Sequence, residues 1–322
     1  MPTTPRQRFG NFQDWHEYVQ SLADPAGNVQ LNGEGLRDLR YACYKDIQAL
    51  RGRPLLVYAV NFPSQLPPNA PISIDLSDVD GFTDLINSVD SSVREVDVLI
   101  HSPGGVPDAT ERIVRLLRAR FDEVHFLVPH SAYSAATMLA MSGNTITLHP
   151  SAILGPIDPQ INGVPARQIK RAFTNLQKKV AEEGQESIVV YLPLIEKYDL
   201  YVLEMCDDAE KLSKSLVKEW LKAYMLKDIQ ARPKNTIATK ATSYMADFDK
   251  HLMHSRSLDT AKLVGFGLKI ESAEQELASL LREAHILLAG TFNGLGFVKI
   301  FESPEKLSWG AQIQIIGVPR PQ

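Results

Sequence analysis

The chain has 322 residues, 44% hydrophobic and 22% charged, a composition typical of a globular protein that can bury a large core. Its 34 basic and 38 acidic residues give a net charge of −4 without a basic stripe, which argues against a nucleic-acid partner. No apolar run reaches the roughly 20 residues of a membrane-spanning helix, and the polar N-terminus lacks a signal-peptide pattern. Cys43 and Cys206 lie far apart and suit buried free thiols, so we expect a soluble, cytoplasmic protein.

The first part of the chain is predicted to be helical. Apolar residues recur with helical spacing over residues 12–22 and 36–50, on either side of a turn-rich stretch at 24–28. We interpret residues 1–53 as an N-terminal helical cap. The pattern then changes to a short apolar run over residues 55–60, which predicts a buried strand.

Strand and helix patterns alternate in the next part of the chain. The predicted strands lie at 96–100, 124–128 and 145–148, and the predicted helices at 78–89, 108–121 and 134–141. Repeated strand, turn and helix units of this length indicate a parallel sheet covered by helices. We therefore predict an α/β fold with its core over residues 54–270.

Beyond residue 165 the pattern is mainly helical. Helices are predicted near 167–182, 188–227, 258–264 and 273–288, with a linker at 231–235 and a further strand at 296–301 before a proline-containing tail. We interpret 166–257 as a helical insertion in the core. Residues 271–322 then form a C-terminal helix, strand and tail.

A glycine-rich turn, Pro103-Gly104-Gly105, directly follows the predicted strand at 96–100. Open α/β sheets place their ligand sites at the carboxyl ends of parallel strands. Two glycines let the backbone adopt strained angles and present N–H groups to an anion. A plain strand-to-helix turn is the alternative interpretation.

A second turn leads to Ser134, the first residue of a nearly all-apolar predicted helix. Its hydroxyl would lie beside free backbone N–H groups at the positive end of the helix dipole, which suits a nucleophile that develops an oxyanion nearby. Serine is also the commonest helix N-cap, so a structural role competes with a catalytic one. Because Gly105 and Ser134 are 29 residues apart with one helix and one strand between them, the two turns are expected to face one another.

Three segments follow one another as they do in the Clp-fold peptidases. They are the Ser-Pro-Gly-Gly turn at 102–105, the Ala-Tyr-Ser-Ala-Ala-Thr-Met-Leu-Ala segment at 132–140 and Leu-Gly-Pro-Ile-Asp-Pro-Gln at 154–160. Together they most resemble the serine dehydrogenase proteinase family, relatives of the signal peptide peptidase A family. Residues 258–270 resemble the helix-to-strand element that closes the core of this superfamily. The resemblance covers residues 55–270 approximately.

The resemblance implies a ClpP/crotonase-type fold and a serine peptidase that hydrolyses peptide bonds through an acyl-enzyme on Ser134. The N–H groups of Gly104 or Gly105 and of Ala135 match the oxyanion-hole donors of the family. It further implies a peptide or unfolded-protein substrate, a homo-oligomer, and neither a metal nor another cofactor.

The general base is less clearly indicated. The histidine that serves ClpP has no counterpart in residues 151–156, whereas signal peptide peptidase A relatives use a lysine whose pKa is lowered by burial. The position that matches their lysine falls near Arg167, which cannot act as a base. We predict Lys170 as the base, with Lys178, Lys179 and His254 as alternatives.

Asp158 could orient a base or bind a substrate amide, although an Asx-type turn before Pro159 is the simpler interpretation. Two other functions stay open. One is a crotonase-like acyl-CoA enzyme, which would not need a serine nucleophile, and the other is a Clp-fold binding or scaffold protein without catalysis.

Overall fold

The computed structural model describes residues 6–64, 66–196, 198–199, 201–305 and 307–312. The chain divides into two compact units. Unit 1 contains the residues up to Leu154 and those from Lys269 onward, and unit 2 is Gly155–Leu268. The first five residues and most of the proline-containing tail, at 313–322, lie outside the described residues.

The helices are α1 (Phe12–Ser21), α2 (Gly33–Arg51), α3 (Asp78–Asn87), α4 (Pro107–Arg120), α5 (Ala135–Met141), α6 (Ala166–Glu183), α7 (Ile188–Ile195), α8 (Val202–Trp220), α9 (Ala231–Met245), α10 (Phe248–His251), α11 (Thr260–Phe266) and α12 (Gln275–Leu295). The strands are β1 (Leu55–Val60), β2 (Glu95–His101), β3 (Glu123–Val128), β4 (Ser131–Ala132), β5 (Thr145–Leu148), β6 (Ile153–Leu154), β7 (Gln160–Ile161), β8 (Val164–Pro165), β9 (Ile270–Ser272), β10 (Phe297–Ser303) and β11 (Leu307–Gln312).

Unit 1 is built on a seven-stranded sheet with the order β11-β10-β1-β2-β3-β5-β9. The five strands from β1 to β9 in that order pair in parallel, whereas β10 and β11 are antiparallel. The α/β fold class with a parallel sheet covered by helices is therefore confirmed. The strand predicted at 296–301 is confirmed as β10, and β11 is an additional strand that the sequence pattern did not predict.

Helices cover the sheet because its strands are apolar on both faces. Every residue of β1 is buried. On one face, Val57 packs in a core cluster with Tyr44 and Ile47 of α2 and with Leu281 of α12. On the other face, the Tyr58 ring lies 5.2 Å from that of Phe82 in α3. The segment predicted as an N-terminal cap thus packs as one layer of unit 1.

Unit 2 is mainly helical, and two predictions in it were wrong. The continuous helix expected over 188–227 is interrupted between α7 and α8, and a π-helical turn follows α8 at Leu221–Met225. The linker expected at 231–235 is the first turn of α9. Pro233 fits there because the first-turn N–H groups of a helix have no intrahelical acceptor, so no hydrogen bond is lost.

None of the described helices combines the length and the apolar character that crossing a bilayer would require.

Candidate active site

Ser134 has a strained backbone. It occupies the N-cap position of α5 with φ 51° and ψ −121°, a region that residues other than glycine rarely adopt. Its side chain makes no capping hydrogen bond. Strain of this kind costs on the order of 1–3 kcal/mol and persists only where the surrounding structure fixes it. The structure therefore does not support the helix-cap role that competed with catalysis for this serine.

Backbone hydrogen bonds fix the turn before Ser134 to the end of β2. The Ser102 N–H donates to the Ser131 carbonyl at 3.1 Å, and the Tyr133 N–H donates to the Ser102 carbonyl at 3.0 Å. The Thr137 hydroxyl donates to the Ala132 carbonyl at 2.7 Å. These bonds hold Ser134 between β4 and α5.

The glycine-rich turn lies directly against this segment. Gly104 has φ +97°, and a Cβ atom at that position would lie 2.8 Å from Ser134 Cβ and 2.5 Å from the Tyr133 carbonyl oxygen. Both its backbone angle and its surroundings therefore require glycine. The two turns face one another, as their spacing predicted.

Gly105 is enclosed on its other side by the segment that precedes α3. A Cβ atom on Gly105 would clash with the Ile74 carbonyl oxygen. The Ile74 N–H donates to the Gly104 carbonyl at 2.7 Å, and the Val106 N–H donates to the Ile74 carbonyl at 2.8 Å. The glycine turn is consequently held on both sides.

Some backbone N–H groups near Ser134 already donate a hydrogen bond within the protein, and others do not. The Gly104 N–H donates to Ser102 Oγ at 3.1 Å. Within the described part of the chain, the Gly105 and Ala135 N–H groups make no hydrogen bond. These two groups are therefore available to a ligand that carries an oxyanion.

The residues of unit 1 around Ser134 supply no proton acceptor to its hydroxyl. Among the described residues of this unit, none forms a hydrogen bond with Ser134 Oγ. His130 Nδ1 lies 2.6 Å from Ser131 Oγ, and His149 Nδ1 lies 2.8 Å from Ser151 Oγ. The Tyr133 ring packs edge-on against Phe62 at 6.0 Å.

Lys170, on α6 of unit 2, is held by two carboxylates of α8. Its Nζ lies 2.5 Å from Asp207 Oδ1 and 3.2 Å from Glu210 Oε2. The hydrogen bond to Asp207 is the main cause that raises the pKa of Lys170 above its ordinary value. A general base needs a lowered pKa, so this environment keeps the amine protonated and opposes the predicted role. Lys178 and Lys179, further along α6, are exposed.

His254 and Asp158 form a pair within unit 2. His254 Nδ1 lies 3.0 Å from Asp158 Oδ1, although 96 residues separate them in sequence. Asp158 is 2% exposed, and its Oδ2 atom has no hydrogen-bond partner among the described residues. An imidazole held by a buried carboxylate is the arrangement that orients a histidine base. The sequence indicated each residue separately and gave no signal for their contact.

No group of three or more His, Cys, Asp or Glu side chains in the described ranges is arranged to hold a metal ion. Both cysteines are buried free thiols, as predicted.

A match to a protein family covers this region. Residues 74–230, which include both turns and α6, match the family described as ClpP-like SDH-type serine proteinase. This part of the chain is thus similar to that family. The resemblance to the SDH-type family, which the motifs had indicated, is confirmed.

Two curated relatives come from Methanocaldococcus jannaschii, and both are described as uncharacterized proteins. MJ1495 is 29% identical over 138 residues, which cover 41% of this chain and 47% of that protein. MJ0137 is 32% identical over 104 residues, which cover 32% of this chain and 35% of that protein. The chain thus spans less than half the length of the curated relatives that it matches.

Similar solved structures include two mutants of the 1510-N membrane-bound stomatin-specific protease. One, in complex with a substrate peptide, is 16% identical and has a TM-score of 0.39, with 66% of this chain and 75% of that chain covered. The other is 24% identical and has a TM-score of 0.27, with 34% of this chain and 59% of that chain covered.

Proposed function

We propose that this protein is a serine peptidase that hydrolyses peptide bonds through an acyl-enzyme on Ser134. The observation that carries the proposal is the strained backbone of Ser134, held against Gly104 within the family region. A serine that only capped a helix would adopt ordinary angles and accept a hydrogen bond from the first turn. Ser134 does neither, so its position suits a reactive hydroxyl.

In the proposed reaction, Ser134 Oγ attacks the carbonyl carbon of the substrate while a general base accepts the hydroxyl proton. The carbonyl oxygen becomes an oxyanion, and the Gly105 and Ala135 N–H groups donate hydrogen bonds to it. Collapse of this intermediate expels the amine, which receives the proton from the base. Water then attacks the ester carbonyl in place of the amine and gives a proton to the base. The bond to Ser134 Oγ breaks, the proton returns to Oγ, and the carboxylic acid product leaves. Gly104 allows this geometry because it has no side chain. A Cβ atom at this position would displace Ser134.

A lysine general base, with Lys170 as the candidate, remains a prediction. Its two carboxylate partners favour the protonated amine and therefore weigh against it. The contact between His254 and Asp158 favours His254 as the proton acceptor in its place. His254 thus stays a candidate base beside Lys170, and Asp158 is the group that would orient its ring.

Labelling of the wild-type chain by a serine-directed fluorophosphonate tests the nucleophile. Ser134→Ala should abolish both the labelling and the hydrolysis of a fluorogenic casein substrate. Ser151→Ala, which changes an exposed serine outside the two turns, is the matched control and should retain both. Equal labelling of the wild type and Ser134→Ala would show that the nucleophile lies elsewhere.

A Clp-fold binding protein without catalysis is the second candidate function. It is favoured by the lack of any hydrogen bond to Ser134 Oγ from the described residues of unit 1. Wild-type protein that binds an unfolded polypeptide but neither reacts with the fluorophosphonate nor cleaves its substrate would support this candidate. A rise in melting temperature with CoA thioesters would instead favour the crotonase-like alternative.

A peptide or unfolded-protein substrate, a homo-oligomeric assembly and a cytoplasmic location complete the proposal. Sedimentation velocity measures the assembly directly, since a monomer of 35.8 kDa is well separated from a trimer. Casein and folded lysozyme, compared as substrates, test the preference for unfolded chains.

A further inference from the structure

Unit 1 contains a cavity of about 310 Å³ whose wall includes three histidines. His101 ends β2, His130 follows β3, and His285 lies on α12. Asn61 and Asn293 add amide groups to the lining, and Phe12 adds an aromatic ring. None of these residues has a role in the proposed peptidase reaction, so the cavity requires a separate explanation.

The three imidazole rings contact one another. The His130 and His285 rings are stacked with their centroids 4.4 Å apart. The His101 ring lies 5.4 Å from that of His130 and 5.3 Å from that of His285. His101 is 2% exposed and His285 is 7% exposed. Buried histidines of this kind are usually paired with a carboxylate or a carbonyl group.

Two of the three rings are left with an unpaired nitrogen. The Nδ1 atoms of His101 and His285 are buried and have no hydrogen-bond partner among the described residues. Unpaired buried polar atoms are uncommon in folded proteins and call for a partner such as a bound molecule. Both nitrogens belong to residues that line the cavity, so a ligand there is a candidate partner for them.

One residue of the cavity lining, Phe12, is in contact with a cation. None of the described residues that line it is an aspartate or a glutamate. The Arg282 guanidinium lies 5.0 Å from the centre of the Phe12 ring. Glu283, the acidic neighbour on α12, is held instead by Arg6 and Arg8, each at 2.7 Å. An anion in the cavity would therefore meet several potential donors and no competing carboxylate.

The surroundings of the three rings disfavour their protonation. Burial, together with repulsion from neighbouring histidines, lowers the pKa of His101 well below its ordinary value and that of His285 to about 3. Burial, and then Arg282, lowers the pKa of His130. Arg282 and His149 also contribute to the lowered pKa of His285. A bound negative charge raises the pKa of the histidines near it, because it favours the imidazolium form.

We propose that this cavity binds a small organic acid as its carboxylate, together with one proton on the histidine cluster. The carboxylate accepts hydrogen bonds from the imidazole N–H groups, and its apolar part packs against Phe12 and Phe292. The proton comes from the acid itself or from water and resides on an imidazole nitrogen. A metal ion does not fit, since no described group of residues has a metal-binding arrangement.

Calorimetric titration of the full chain with sodium benzoate tests the proposal, and benzamide serves as the neutral probe of the same shape. We expect benzoate to bind with uptake of about one proton, measured in two buffers of different ionisation enthalpy. Its affinity should fall as the pH rises, by at most tenfold for each pH unit, since one proton is linked to binding. Benzamide should not bind.

His285→Phe, which keeps a flat ring but removes both nitrogens, should abolish benzoate binding. His16→Phe, on exposed α1, is the matched control and should leave it intact. If His285→Phe does not fold, Arg282→Gln gives a second test, because it removes the cation that contacts Phe12 of the lining. At least fivefold weaker binding of benzoate is expected. Equal affinities for benzoate and benzamide, or binding of neither, would overturn the proposal.

Discussion

His254 Nδ1 lies within hydrogen-bond distance of Asp158 Oδ1, at 3.0 Å, and the aspartate is buried. If this pair supplies the base, His254→Gln should lower kcat/KM at pH 7 by on the order of 100-fold or more. Asp158→Asn should lower kcat with little change in KM, because it removes the group that orients the ring. Both effects are measured with a fluorogenic peptide substrate.

Lys170→Met separates the two candidate bases. It removes the ammonium between Asp207 and Glu210, so a small loss of stability is expected while peptidase activity remains. A loss of activity as large as that of Ser134→Ala, in a folded protein, would establish the lysine instead.

Gly104→Ala should abolish the proposed peptidase activity. The added Cβ would lie 2.8 Å from Ser134 Cβ, and the backbone angle of φ +97° strains any side chain. We expect a loss of activity on the order of 100-fold or more and a loss of roughly 1–3 kcal/mol in unfolding free energy. Activity and urea denaturation measure the two effects.

Gly27→Ala is the matched control for that prediction. Gly27 has φ +82°, but no neighbouring atom lies within 4 Å of the position that a Cβ would occupy. The variant should therefore lose stability through backbone strain alone and keep full activity. Inactivation by Gly27→Ala would mean that strain, and not the contact with Ser134, explains the Gly104 result.

Ser134→Gly should stabilise the protein while abolishing catalysis. Glycine adopts φ 51° without steric cost, so the strain at this position is relieved and unfolding free energy should rise by about 1 kcal/mol. Ser134→Ala keeps the strain and should show no such gain. Urea denaturation of the two variants compares them directly, and a less stable Ser134→Gly would contradict the functional origin of the strain.

Stability should fall as the pH drops below about 6.5. Burial lowers the folded-state pKa of His285 to about 3 and that of His125 to about 4, so the unfolded chain binds protons that the folded chain does not. The stability contributed by the neutral rings is complete above the ordinary histidine pKa and is lost towards the folded-state values. The difference in urea stability between pH 7 and pH 5 should shrink in His285→Phe, whereas His16→Phe should leave it unchanged.

The sheet could be predicted from the sequence because its central strands are buried on both faces and appear as continuous apolar runs. β11 could not, since Leu307–Gln312 contains a glycine and polar residues and lies half-exposed at the sheet edge. The first turn of α9 was mistaken for a linker because Pro233 usually marks a break. The pattern of apolar residues predicts a strand or helix only where burial determines which residue types occur.

Part of the candidate site could also be predicted from the sequence. One predicted helix and one predicted strand separate Gly105 from Ser134 in the sequence. This order of elements places the two turns at neighbouring strand ends, so their proximity could be inferred. The partners of Lys170 lie on another helix, 37 and 40 positions further along the chain, and no periodic pattern encodes such pairings. The same holds for His254 with Asp158 and for the three clustered histidines.

The two ends of the seven-stranded sheet restrict how copies of this chain can associate. β9 has only three residues, Ile270–Ser272, and therefore offers few backbone groups for another strand to pair with. At the opposite end, Gly310 in β11 lacks a side chain that could pack against an added strand. Short or weakly packed edges discourage strand addition. If copies of this chain associate, we therefore expect their contacts to use side-chain surfaces more than the described edges of the sheet.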